Sequence, residues 1–454
     1  VVTRRQTLRA IAVSATASAL GAAPTLARVA TTPAPAPAAA VPVDDVDAAS
    51  LHELVEAAAP WSTVTITRDW VVTESLVLTS PITLRFAGGS ISTDAHIAVI
   101  TVRSSDVRID EPVLRGRDGT VSGLGRGVHA AGTPDAPLRN IEIRGGSISG
   151  HSHDGVLLEH VGWFAVSGVT ISGVGYAGIL MFSCTDGAVS GNRIDEVHQP
   201  SPYVNSYGIE AVRATTAGTD RFPRSARITI SDNLVRGVRS WEGIDTHGGE
   251  EIVILRNRVE DCRVGIALVP SKDEADASKT KYAPLACAVI GNSVTRSTRG
   301  AGSGIVVRGA GETVDSPAER ATGVLLRNAV SGYGDADRDA PILVYLTRDL
   351  IVADNELQGF GRAISLYHSN ADVAVQRNSV LGLERLGAAR SVGIAVVATA
   401  NSGIVAANQV SVGDVGLQCR LAPNALLSVA NTWGGAGMDP VVAAGDSVLR
   451  FLDG

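Results

Sequence analysis

Gly-aliphatic pairs return along most of this chain: Gly155-Val156, Gly178-Ile179, Gly208-Ile209, Gly243-Ile244, Gly265-Ile266, Gly304-Ile305, Gly393-Ile394 and Gly416-Leu417, with Pro341-Ile342 and Ala363-Ile364 as variants. Three residues after each Gly or its substitute the chain reads Leu158, Met181, Ala211, Thr246, Leu268, Val307, Val344, Leu366, Val396 and Cys419, a column that is apolar except at Thr246. Side chains alternate between the faces of a strand, so this column predicts the buried face, and the positions two and four after the Gly predict the outward face. A second ladder, Asn192, Asn233, Asn257, Asn292, Asn328, Asn355, Asn378 and Asn408, keeps the same frame. Its shortest interval is 23 residues, which predicts one solenoid coil per unit and places extra length in insertions. Thr246, alone in its column, should be hydrogen-bonded to the backbone or to a neighbouring polar residue.

The predicted fold is all-β: a single domain over residues 44–454, built of stacked parallel strands. With only 18 aromatic residues and 49 glycines in 454, a thin Val/Ile/Leu/Ala core with frequent turns suits the composition better than a globular α/β core. Asp47 is the expected N-cap of a short amphipathic helix over Ala48 to Ala58, which would cover the open edge of the first coil. Val64 to Ile66, Val71 to Leu78 and Ile82 to Phe86 follow as first strands, coils run from Ile91 to Trp433, and the tail through Val448 to Leu452 reads as the other cap. The extra length concentrates in Asp195 to Ser206, Thr215 to Ser225, Pro270 to Pro284 and Gly309 to Arg320. Insertions of a solenoid line one face and shape a groove there.

A net charge of −7 gives nucleic acid no footing as a partner. Thr3-Arg4-Arg5-Gln6-Thr7-Leu8-Arg9 and the Ala-rich run after it read as a twin-arginine export signal over residues 1–30, followed by a Pro/Ala-rich linker over 31–43. The expected location is therefore secreted or in the cell envelope, with no membrane attachment after export. The four cysteines show no Cys-x-x-Cys spacing, which argues against a zinc cluster. Cys262 and Cys287 bracket one insertion and are weighed as a disulfide staple.

Chemistry concentrates in Trp241-Glu242-Gly243-Ile244-Asp245-Thr246-His247. Glu210 and Asp245 occupy the same outward column on consecutive coils, about 4.8 Å apart at the backbone. Two carboxylates that close do not both ionise freely, which separates an acid from a base or nucleophile. His247, two positions further along the strand, would tune Asp245. Glu242, Trp241 and Tyr207 are candidate substrate contacts around the three, as are Arg308, Tyr345 and Tyr367 further down the outward column. Aromatic faces suit sugar rings, and Arg suits carboxylate or sulfate groups.

The coils and the Asn ladder resemble the pectin-lyase-like superfamily of right-handed parallel β-helices over about Ile91 to Trp433. Glu242-Gly243-Ile244-Asp245-Thr246-His247 is similar to the Tyr-Gly-Phe-Asp-Pro-His motif of mannuronan C5-epimerases and related lyases. The fold is shared with tailspike-like depolymerases. The resemblance implies an enzyme acting on a polysaccharide or oligosaccharide, with Asp245 and His247 in its site. This chain has Glu242 for the motif's Tyr, and Val269 where a further Asp is expected. Glycoside hydrolysis by Glu210 and Asp245 is the leading expectation. The alternatives are a lyase or epimerase, in which His247 takes the C5 proton while Arg308 or a divalent metal such as Ca²⁺ neutralises a uronate, and a glycan-binding or adhesion solenoid. A hydrolase of this kind needs no cofactor.

Overall fold

The computed structural model describes residues 43–44, 50–200, 205–313, 316, 318–435, 437–443 and 447–451. The expected signal over 1–30, and all of the linker but residue 43, lie outside the described residues. Each coil contributes one strand to each of three parallel sheets, of 16, 14 and 14 strands, and every strand pairs with its counterpart one coil on. The result is a right-handed parallel β-helix.

The residue after each Gly anchors the core: Ile179, Ile209, Ile244, Ile266, Ile305, Ile342, Ile364 and Ile394 are all fully buried, one above the next. Glycine precedes six of them, because neighbouring coils approach too closely there for a side chain, while Pro341 and Ala363 precede Ile342 and Ile364. A Cβ at Gly208 would stand 2.3 Å from the Gly243 carbonyl oxygen, and one at Gly243 would stand 2.7 Å from that of Gly265. The Asn ladder closes a corner of the coil. Asn233 Nδ2 donates to Val189 O at 3.0 Å and to Asn257 Oδ1 at 2.9 Å, while the Asn233 backbone N–H donates to the same Oδ1. The arrangement continues to Asn408 and one rung beyond it, to Asn431. Asn370, Asn401 and Asn424 form a second, shorter ladder that the sequence analysis did not single out.

The capping helix is present but shorter than expected. It spans Leu51–Glu56 with Ser50 as N-cap, because the Ser50 hydroxyl accepts from Glu53 N–H, while Asp47 lies outside the described residues. Coils begin before Ile91: Thr63–Ile66, Trp70–Val71, Leu76–Leu78 and Thr83–Phe86 already belong to the three sheets. At the other end Val448–Phe451 adds one more strand to the 16-stranded sheet by pairing with Ala425–Val429. No staple joins Cys262 to Cys287: both thiols are free and buried, and their contacts are to backbone carbonyls, Cys262 to Glu260 and Cys287 to Leu285 and Gly249. Within the Pro270 to Pro284 insertion, Ser271–Lys272 and Thr280–Tyr282 form a small antiparallel hairpin. Among the described residues no helix is long and apolar enough to cross a membrane.

Candidate active site

Strands Tyr207–Val212 and Glu242–His247 pair in parallel, with Tyr207 beside Glu242, Glu210 beside Asp245 and Ala211 beside Thr246. The outward column therefore brings Glu210 and Asp245 together as the spacing predicts. Thr246 points inward and is fully buried; its hydroxyl donates to Ala211 O at 2.6 Å and accepts from Gly249 N–H at 3.1 Å.

His247 is the hub of the site. Its Nε2 stands 3.2 Å from Asp245 Oδ2, 3.6 Å from Glu242 Oε2 and 4.0 Å from Glu210 Oε1. The carboxylates lie beneath it: Asp245 is 0% exposed, Glu210 4% and Glu242 6%, whereas the His247 side chain keeps 27% of its surface. None of these contacts has hydrogen-bond alignment. Both Asp245 oxygens, Glu210 Oε2, Glu242 Oε2 and His247 Nε2 are buried with no hydrogen-bond partner. Buried polar atoms in folded proteins are nearly always paired, so this concentration of unpaired ones sets the cluster apart as a candidate functional site.

Burial pushes the Asp245 carboxyl up to about 7; the His247 contact opposes this and the Glu242 charge adds to it. Burial, and then the Asp245 charge, drive Glu210 well above the usual carboxylate range. For His247 burial works against the charged form, but its contacts with Asp245 and Glu242 outweigh it and hold the imidazolium well past its ordinary range. All three shifts favour the protonated form of the group concerned. Glu210, Asp245 and His247 also each offer one ligand atom, all within 4.8 Å of one another, a span that could seat a divalent cation. The imidazole would suit zinc better than calcium, which prefers oxygen alone.

Polar and aromatic side chains flank this hub along the outward face of the sheet. Glu242 lies on that face, as do Tyr207, Asp154 and Arg126 in register on the preceding coils. Arg126 Nε and His153 Nδ1 each lie 2.8 Å from Asp154 Oδ2, and His153 stacks on Tyr176 at 4.6 Å. Tyr176 meets Tyr207 edge-on at 5.3 Å, and Tyr207 meets His247 edge-on at 6.0 Å. Asp154 and Arg126 are not singled out in the sequence because the outward face is counted forward from the Gly, whereas the residue before the Gly also faces out; His153 and Tyr176 lie one residue earlier still, in the turns that lead into those strands. Tyr207 is only 4% exposed and packs with Leu157, Leu180 and Val212 in an apolar cluster outside the main core; Trp241 packs against the same cluster, under the Arg263 guanidinium. Arg308, Tyr345 and Tyr367 continue the His247 column on later coils, past Val269.

Two insertions are tied down beside His247. Arg224 donates to Gly248 O at 3.0 Å and to Glu319 Oε2 at 2.5 Å, joining the segments Thr215 to Ser225 and Gly309 to Arg320. Arg213 is turned away from the carboxylates: it donates to Phe222 O and Ala217 O and stacks on Tyr282 at 4.6 Å.

No protein-family model matches the chain, and no curated protein matches it by sequence. Its fold is similar to the catalytic unit of a thermostable GH87 α-1,3-glucanase from Streptomyces thermodiastaticus, with 14% identity and a TM-score of 0.55 over 92% of this chain and 70% of that one. It is similar also to PfbA, a surface adhesin of Streptococcus pneumoniae, with 11% identity and a TM-score of 0.51 over 88% and 93% of the two chains. The periplasmic alginate epimerase AlgG aligns at 14% identity and a TM-score of 0.49, over 91% and 82%. At such identities the likeness is one of fold, and what it establishes is that this chain is a right-handed parallel β-helix.

Proposed function

We propose that this chain is an exported enzyme that cleaves a polysaccharide in the groove around His247, by glycoside hydrolysis. The observation that carries the reading is the hub itself, one half-exposed imidazole over three buried carboxyl groups. A histidine held in its charged form gives up a proton; it does not take one. Protonating a glycosidic oxygen is the first demand of hydrolysis, whereas abstraction of a C5 proton needs a neutral base. Glu210 and Asp245 supply the second function: the ionised member of the pair, assigned to Asp245 because it stands nearest the His247 imidazole, activates water or attacks the anomeric carbon, while its neighbour keeps a proton. His247 accordingly has a larger role than tuning Asp245. The likeness in fold to a glucanase supports a carbohydrate substrate at the level of analogy.

The second reading, a lyase or epimerase, is favoured by one feature: His247 is the cluster member with the most exposure, which is where a base would have to stand. The two readings separate on products. The purified chain is incubated with a panel of polysaccharides and the products are resolved by chromatography. Hydrolysis yields new reducing ends without ultraviolet absorption, and a lyase yields the absorbing C=C bond. Retention of a glycan with no shortened product and no epimerised residue would assign the groove to binding alone.

A further inference from the structure

Two rungs beyond His247 on the same outward column, about 10 Å along the groove, the character of the wall changes. Arg308 follows Val269 there, Tyr345 lies beside Arg308, and Tyr367 follows on the next coil. The Arg308 guanidinium sits over the Tyr345 ring at 5.6 Å, and that of Arg338 sits over the Tyr367 ring at 5.8 Å. The two tyrosines meet edge-on at 6.0 Å, and His368 closes against both, at 5.8 and 5.0 Å. Among the described residues neither Arg308 nor Arg338 has a carboxylate within ion-pair distance, although Arg85, Arg126, Arg224 and many other arginines of this acidic chain do. Arg308 Nε and the hydroxyl of Ser365, two coils on and on the strand that leads to Tyr367, are buried without hydrogen-bond partners. Two guanidiniums standing over aromatic rings, beside unused donors, form a surface suited to an anion carried on a ring.

We propose that this arm of the groove is a subsite for an anionic sugar, a uronate carboxylate or a sulfate ester held by Arg308 and Arg338 with its ring against Tyr345 and Tyr367, so that the substrate is an acidic polysaccharide. The inference rests on the groove being a polysaccharide site, and binding tests it apart from turnover. In full-length Asp245→Asn protein, fluorescence anisotropy measures labelled hexamers of four kinds: polygalacturonate, its carboxyl-reduced counterpart, dextran sulfate and plain dextran. At least one anionic hexamer should bind tenfold or more tightly than its neutral partner, with the preference weakening as salt rises. Preference within the first pair identifies a carboxylate, and within the second a sulfate. Arg308→Gln with Arg338→Gln should abolish the preference, and Arg308→Lys with Arg338→Lys should restore part of it, with circular dichroism verifying that each variant is folded. Equal binding of anionic and neutral hexamers, or a preference that survives the double Gln variant, overturns the proposal. A chain that cleaves a neutral glucan without such a preference keeps the hydrolase reading and loses this one; a preference without cleavage of any glycan does the reverse.

Discussion

The hydroxyl of Thr246 donates to the carbonyl oxygen of Ala211, its register partner on the preceding coil, at 2.6 Å, and receives the N–H of Gly249 at 3.1 Å. One buried side chain thereby ties the strand of Glu210 to the turn that follows His247. Thr246→Val keeps the shape and removes both bonds, leaving a carbonyl and an N–H unpaired in the core. The expected loss is about 1 to 3 kcal/mol in stability by chemical denaturation. The turn after His247 should loosen as well, so kcat falls. Thr246→Ser should recover most of both, and a Thr246→Val protein of unchanged stability would show that the tie contributes nothing.

Asp245→Asn and Glu210→Gln should each lower turnover about a hundredfold or more. They should also raise stability at neutral pH. The Asp245 carboxyl is shifted from 3.8 to about 7 in the folded chain, so the folded state binds the extra proton between those values. The native chain therefore loses stability as pH rises through that window and regains it on acidification. Melting temperatures measured from pH 4 to 8 should fall with pH in the parent and fall less in Asp245→Asn, with a gain of at least about 1 kcal/mol near pH 7.5. A variant less stable than the parent at that pH contradicts a carboxyl whose charged form burial disfavours.

The rate should follow pH with two limbs. Activity rises as Asp245 ionises near pH 7 and falls on the alkaline side as His247, held well above its ordinary range by the carboxylates around it, loses its proton. A lyase that uses neutral His247 as its base would instead gain activity through that alkaline range. The profile of kcat/KM on a cleaved glycan distinguishes the two.

Chelation should leave hydrolysis intact if the cluster works by proton transfer alone. Dialysis against EDTA followed by assay checks this. Loss of activity that zinc restores would mean that Glu210, Asp245 and His247 act as ligands, and would displace the acid–base reading.

Export depends on Arg4 and Arg5 if the N-terminal reading holds. Replacing both by Lys should keep the protein in the cytoplasm of its host, as fractionation would show; unchanged secretion would point to another route.

The coil was legible in the sequence because its determinants are local and repeated: a Gly where coils approach, an Ile or Val after it, an Asn at a corner. Glu210, Asp245 and His247 could be grouped for the same reason, since a shared column and a shared face follow from counting. What could not be counted was the step at the Gly. Period two would put Glu242 on the same face as Ile244, yet Ile244 is in the core and Glu242 reaches His247, so the backbone changes phase between them. That step hid Asp154 and Arg126, which stand just before Gly155 and Gly127. The thiols of Cys262 and Cys287 illustrate the other limit: bracketing an insertion says nothing of where each side chain points, and both point to backbone carbonyls inside the core.

Rungs of the Asn ladder bond to one another whether their partners are 23 residues apart, as Asn355 and Asn378 are, or 41, as Asn192 and Asn233 are. The corner that stacks is indifferent to how much chain leaves and returns between rungs. Scaffold and specificity are therefore separately heritable in this molecule: a lineage can lengthen, shorten or exchange the loops that wall the groove while every rung keeps its neighbours, so new substrates are reachable without passing through an unfolded ancestor.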